Sequence, residues 1–146
     1  MKNKYLSNTE VEAMLGLWLI SVFMVIRGVT LLFVTDASIE RSNMYTTMND
    51  FLPIQIWALL FIIGGVIIIS SSVSQSMRKY YGLIVGSILG LIVGFPFAFI
   101  SFAESHMTIT HFTVTLVAFY NLVLILHGGV TVWKERKRIR SSQKSK

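Results

Sequence analysis

Four stretches of this 146-residue chain are apolar for about 20 residues each, and that one feature leaves few folds open. They cover residues 13–34, 51–70, 81–102 and 109–133, the first interrupted only by Arg27. A helix rises 1.5 Å per residue, so about 20 residues cross the ~30 Å hydrocarbon core of a bilayer. The strands of a membrane barrel would instead be about 10 residues long and alternate apolar with polar positions. Segments such as IIGGVIII are apolar on both faces, which excludes that pattern. Composition agrees: 53% of residues are hydrophobic, 14% are charged and the mean hydropathy is +0.66. A soluble domain carries about a quarter charged residues. The expected fold is therefore all-α, an integral membrane four-helix bundle in a single transmembrane domain over residues 1–146. The connections, at residues 35–50, 71–80 and 103–108, are short enough to make the last three helices successive antiparallel hairpins. The first run is too long for the apolar core of a cleavable signal and lacks a small-residue cleavage site, so it reads as a retained span.

Placement of the basic residues orients the bundle, because cytoplasmic flanks hold the excess of Lys and Arg. Lys2 and Lys4, Arg78 and Lys79, and the tail residues Lys134, Arg136, Lys137, Arg138, Arg140, Lys144 and Lys146 fall on one side. The other side has only Arg41, with Asp36, Glu40, Asp50 and Glu104. Both termini are therefore expected in the cytoplasm. The basic tail, residues 134–146, favours the headgroups of anionic lipids as its partner over nucleic acid, since it continues directly from an apolar helix. Trp133, Tyr80 and Tyr81 suit the interfacial aromatic belt of the same face.

Within the spans, glycine is the most regular feature. Gly82, Gly86, Gly90 and Gly94 recur at four-residue spacing, which sets them on one face of the third helix and opens a groove to a neighbouring backbone. All ten glycines of the chain lie within or beside apolar runs, where turns are not needed. The groove serves either packing inside one bundle or an intermolecular seam that builds an oligomer or pore; a second copy or another membrane protein is the partner it would take. Pro96, beyond the last of these glycines, removes a backbone hydrogen bond and is expected to kink the outer end of that helix.

Two polar features stand out against this background. Arg27 lies about seven residues, or ~10 Å, from the outer end of its run, and a charge at that depth needs a partner. Glu104 is the first candidate, with Asp36 and Glu40 on the same side; the alternative is a role in passage of an ion or solute. In the fourth helix Thr113, Tyr120 and His127 are seven apart, with Asn121 beside them and Thr131 one turn on. That stripe is expected to face the bundle interior or a wet cavity, for interhelical hydrogen bonding or for a proton or solute path through His127.

Catalytic patterns are missing from the sequence: no His-Glu-x-x-His, Gly-x-Ser-x-Gly or phosphate-binding glycine loop occurs, and there is no cysteine for a nucleophile, a disulfide or thiolate ligation. Ser87 with His127 forms a generic pair that any small bundle would contain. Glu104, His106 and His111 with Met44, Met48 and Met107 are irregularly spaced and read as ordinary loop residues. No catalytic residue, cofactor or metal is expected.

The opening MKNKYLSNTEVEAMLGLW, the LPIQIWALLFIIGGVIII run and the polybasic end resemble the small multispanning membrane proteins encoded by phages, prophages and mobile elements of Gram-positive bacteria. The expected function is that of a non-enzymatic integral membrane protein acting by helix association, such as a phage-type accessory or exclusion factor. A holin-like or small-channel protein is the alternative. Three-span holins place their termini on opposite sides, unlike the plan read here, and small multidrug transporters have a glutamate in the first helix where this chain has Arg27. Reporter fusions placed after Lys146 and at Ser74 should both read cytoplasmic; an outward signal at either point would overturn the orientation.

Overall fold

The computed structural model describes residues 8–74, 77–104 and 109–144, with side chains for 12–74, 77–100, 102–103 and 112–141. The described chain forms six helices: α1 (Asn8–Leu32), α2 (Asp36–Glu40), α3 (Asn43–Phe51), α4 (Ile54–Val73), α5 (Arg78–Glu104) and α6 (Ile109–Lys144). The fold is all-α, and α1, α4, α5 and α6 are long and apolar enough to cross a membrane. Only 28–50% of the residues in these spans are buried within the protein. What remains outside is apolar, including Leu19, Ile63, Ile92, Phe99, Leu116 and Leu126. Lipid is the solvent that such a surface fits, and helices satisfy their own backbone groups there.

Helix α1 packs along α4, α4 along α5 and α5 along α6. Successive long helices are antiparallel. Their shared core holds Met24, Phe61, Ile68, Val93, Phe97 and Val114, all essentially inaccessible. The pair that would close the ring, α1 and α6, has no extended seam among the described residues.

Glycine sets the spacing of the packed pairs. A Cβ added at Gly28 would lie 2.6 Å from the Ala58 carbonyl oxygen, and one at Gly65 would lie 2.7 Å from that of Ser21. These two positions clamp α1 onto α4. Between α4 and α5, Gly64 and Gly86 face each other, an added Cβ on each lying 3.1 and 2.9 Å from the other's carbonyl oxygen. Such distances are too short for a methyl group, so the backbones are in contact. At one end of the α1–α4 seam the Trp18 indole donates to Ser72 Oγ at 2.9 Å.

Two parts of the chain differ from the sequence-based expectation. The connection between the first two runs is folded into α2 and α3, with Ile39, Met44 and Met48 buried in the common core. Trp57 holds this cap down by donating its indole N–H to the carbonyls of Met48 (3.1 Å) and Leu52 (2.9 Å), which satisfies acceptors at the end of α3. Asn49 Oδ1 in turn accepts from the Ile54 amide at the start of α4. The second difference is the tail, expected to begin as a separate segment at residue 134, which continues as helix to Lys144. Nothing between Trp133 and Lys144 stops a helix: the segment has neither Gly nor Pro, and its Lys, Arg, Glu and Gln are good helix formers. Helix α5 likewise runs through Pro96 without interruption.

Gly28→Ala should lower stability by about 1–3 kcal/mol, the usual cost of forcing atoms into a packed seam. Gly129→Ala, where nothing lies within 4 Å of an added Cβ, should leave it unchanged or slightly higher. Thermal unfolding of both variants in detergent checks this, and equal melting temperatures would contradict it.

Candidate functional site

The four glycines of α5 share a face but not a neighbour. Gly82 and Gly86 meet Ser71, Ile68 and Gly64 of α4, whereas Gly90 and Gly94 meet Asn121 and Ala118 of α6. Four-residue spacing overshoots a 3.6-residue turn by about 40° per step, so the row winds around α5 and its first half meets α4 while its second half meets α6. Gly90 is the most crowded by side chains: an added Cβ would lie 2.6 Å from Asn121 Nδ2 and 2.7 Å from the Met24 methyl. Helices α1, α5 and α6 converge there.

Arg27 points across the bundle to α5. Its guanidinium carbon lies 4.7 Å from the centroid of the Phe97 ring, and Phe97 meets Phe61 of α4 edge to face with centroids 6.4 Å apart. Arg27 Nε is buried and has no hydrogen-bond partner. The aromatic face gives the guanidinium an electrostatic contact. The Glu104 side chain lies outside the described residues. Asp36 and Glu40 are exposed on α2, and the one ion pair among the described residues is Glu135 with Arg138 on α6.

The polar stripe of α6 separates into different environments. Asn121 is fully buried; its Nδ2 donates to the Val117 carbonyl at 3.0 Å and lies 3.7 Å from Met24 Sδ, while Oδ1 has no partner. Tyr120 and Thr113 are half-buried. His127, expected to face the interior, is exposed, and Thr131 donates to its carbonyl. The buried face of α6 runs through Val114, Ala118, Asn121 and Gly128, so Thr113, Tyr120 and His127 lie along its edge, and a drift of about 20° per heptad carries His127 furthest outward.

One group was not legible in the sequence. Ser21, Ser87 and Asn121, from α1, α5 and α6, are each at 0% exposure. They lie one helical turn beyond Leu17, Leu83 and Leu124, so three helices contribute a polar residue at a similar level. Ser21 satisfies its hydroxyl on the Leu17 carbonyl at 2.6 Å, but Ser87 Oγ and Asn121 Oδ1 have no partner. Ser87 therefore makes no hydrogen bond to His127. Because the serines are isolated on different helices and surrounded by apolar residues, no linear motif announces them.

On the side of Leu17, Leu83 and Leu124 a cleft of about 510 Å³ opens between α1 and α6. Its polar lining is Lys79, Tyr80, Tyr120 and His127. Tyr120 reaches towards α1, its hydroxyl 3.3 Å from the position a Cβ on Gly16 would take. Near this end Arg136 donates to the Tyr81 hydroxyl at 2.8 Å, tying the helical tail back to the start of α5. Lys137 lies over the Trp133 ring at 5.5 Å.

Among the described residues no three His, Asp or Glu side chains come together as a metal site. The side chains of His106, Met107 and His111 lie outside them, and Met44 and Met48 are core residues of the cap. No protein-family model, curated protein or solved structure matches the chain.

The Arg27–Phe97 contact should appear as a coupling energy. In a double-mutant cycle of Arg27→Met and Phe97→Leu, measured by thermal unfolding in detergent, the two losses should be non-additive by about 0.5–2 kcal/mol. Strict additivity would show that the ring and the guanidinium do not support each other.

Proposed function

We propose that this chain is a non-enzymatic, multi-pass protein of the cell membrane that acts through lateral helix association, with both termini in the cytoplasm. The observation that carries this reading is Gly129. It is a glycine on the outward face of α6 with nothing near it, flanked by exposed Leu126, Val130 and Trp133. A glycine costs helix stability, and the other glycines of the spans offset that cost by close packing within the chain. Gly129 is left available to another helix, either a second copy or a different membrane protein. The orientation is supported by the basic residues around Lys79 and along the helical tail, which gather at one end of the bundle. A role as a phage- or prophage-type accessory or exclusion factor follows from the sequence resemblance described above.

A second reading, a holin-like or small-channel protein, is favoured by the unpartnered buried atoms Arg27 Nε, Ser87 Oγ and Asn121 Oδ1. Water or a permeant ion would satisfy such groups, and apolar packing does not.

The native chain has no cysteine, so single thiols report cleanly. Leu126→Cys and Val130→Cys, on the Gly129 face, should give disulfide-linked dimers in oxidised membranes or cross-link to a partner of different mass, whereas the buried Val93→Cys should not. Failure of both exposed thiols to cross-link would overturn the association surface. In the same cells a membrane-potential dye should show no loss of polarisation on expression; rapid depolarisation would replace the first reading with the second.

A further inference from the structure

We infer that the cleft between α1 and α6 is a binding site for one anionic glycerophospholipid, which enters sideways from the bilayer. This inference rests on the membrane-embedded reading of the chain but not on helix association.

Three independent features meet there. Among the described residues the seam between α1 and α6 lacks the extended packing of the other flanks, so an acyl chain can pass between them from the lipid phase. The floor is apolar, with Leu17, Leu83 and Leu124 buried around a volume of about 510 Å³, large enough for part of an acyl chain but too open to remain empty in a bilayer. The mouth is cationic and rich in hydrogen-bonding groups. Lys79 stands in the first turn of α5, and the Tyr120 hydroxyl lies deeper, within the gap itself. A lipid phosphate at the level of Lys79 would place its glycerol esters near Tyr120, whose hydroxyl is suited to donate to an ester carbonyl.

Charge complementarity selects an anionic headgroup over a zwitterionic one. No described carboxylate pairs with Lys79: Glu12 is exposed on α1 outside the cleft lining, and Glu135 is engaged by Arg138. Lys134 and Arg136 lie near the same end and add to the positive field, with Arg136 held in place by Tyr81. A long lysine stem can lie along the apolar wall while its ammonium stays at the headgroup level. The buried polar residues Ser21, Ser87 and Asn121 end the apolar floor one turn deeper, which limits how far a hydrocarbon chain can penetrate.

The test uses the full-length protein in a neutral detergent, examined by native mass spectrometry with equal amounts of phosphatidylglycerol and phosphatidylcholine. One phosphatidylglycerol should be retained per chain, with about fivefold preference for a single well-placed lysine. Lys79→Gln should abolish that preference. Val123→Trp, at the exposed edge of the cleft, should displace the lipid with little change in melting temperature. Lys134→Gln together with Arg136→Gln should leave most of the preference intact. Equal retention of the two lipids would overturn the site. So would a preference that survives Lys79→Gln and Val123→Trp but is lost with the tail substitutions, because the headgroup would then be held by the tail. Extraction of the native chain from membranes by alkaline carbonate is a separate failure, of the membrane reading itself.

Discussion

Close backbone contact at a handful of glycines is the constraint on which the rest of this bundle depends. Lipid tails solvate leucine as well as another leucine does, so burial alone gives α1, α4 and α5 little reason to associate. Dispersion and complementary shape must supply the attraction, and both fall steeply with distance. At Gly28 and Gly65, and again at Gly64 and Gly86, a neighbouring atom occupies the space a side chain would have needed. With α1 drawn onto α4 and α4 onto α5, Met24 and Arg27 reach the far helix and fill the centre.

The same economy explains what is left open. Helix α6 is attached through α5, where Gly90, Gly94 and Gly128 provide the approach. Its other neighbour would be α1, but the contacts across that gap come from long side chains, with Met24 against Asn121 and Tyr120 near Gly16. A seam without extended helix packing leaves volume near its end. That volume is the Lys79–His127 cleft, bounded on its inner side by the level of Ser21, Ser87 and Asn121.

The two ends of the bundle are built on different physics. One end is closed by α2 and α3, which bury methionines and hang on the Trp57 indole. The other is extended by α6, whose 36 residues make a rod of roughly 54 Å, well beyond the hydrocarbon thickness. The cations at its end are favourably placed, because the C-terminus of a helix carries partial negative charge. Stacking of Arg136 on Tyr81 and of Lys137 over Trp133 keeps those charges close to the interface.

Much of the architecture was legible in the sequence, because in a bilayer the number and length of spanning helices follow from apolar run length, and the pairing of the last three follows from their short connections. The packing role of glycine was legible as well, but not its targets: spacing lines Gly82, Gly86, Gly90 and Gly94 along the helix, and only the placement of α4 and α6 around α5 decides which helix each one meets. Arg27 could be recognised as costly from its position. That an aromatic ring from α5 stands against it depends on a contact 70 residues away in the chain. The exposure of His127 and the burial of Ser21, Ser87 and Asn121 at a similar level were likewise decided by helix rotation and three-dimensional juxtaposition. Local pattern sets what each helix is, through hydropathy and backbone hydrogen bonding; which faces meet is set by fitting four helical surfaces together at once, and no stretch of the sequence records that fit by itself.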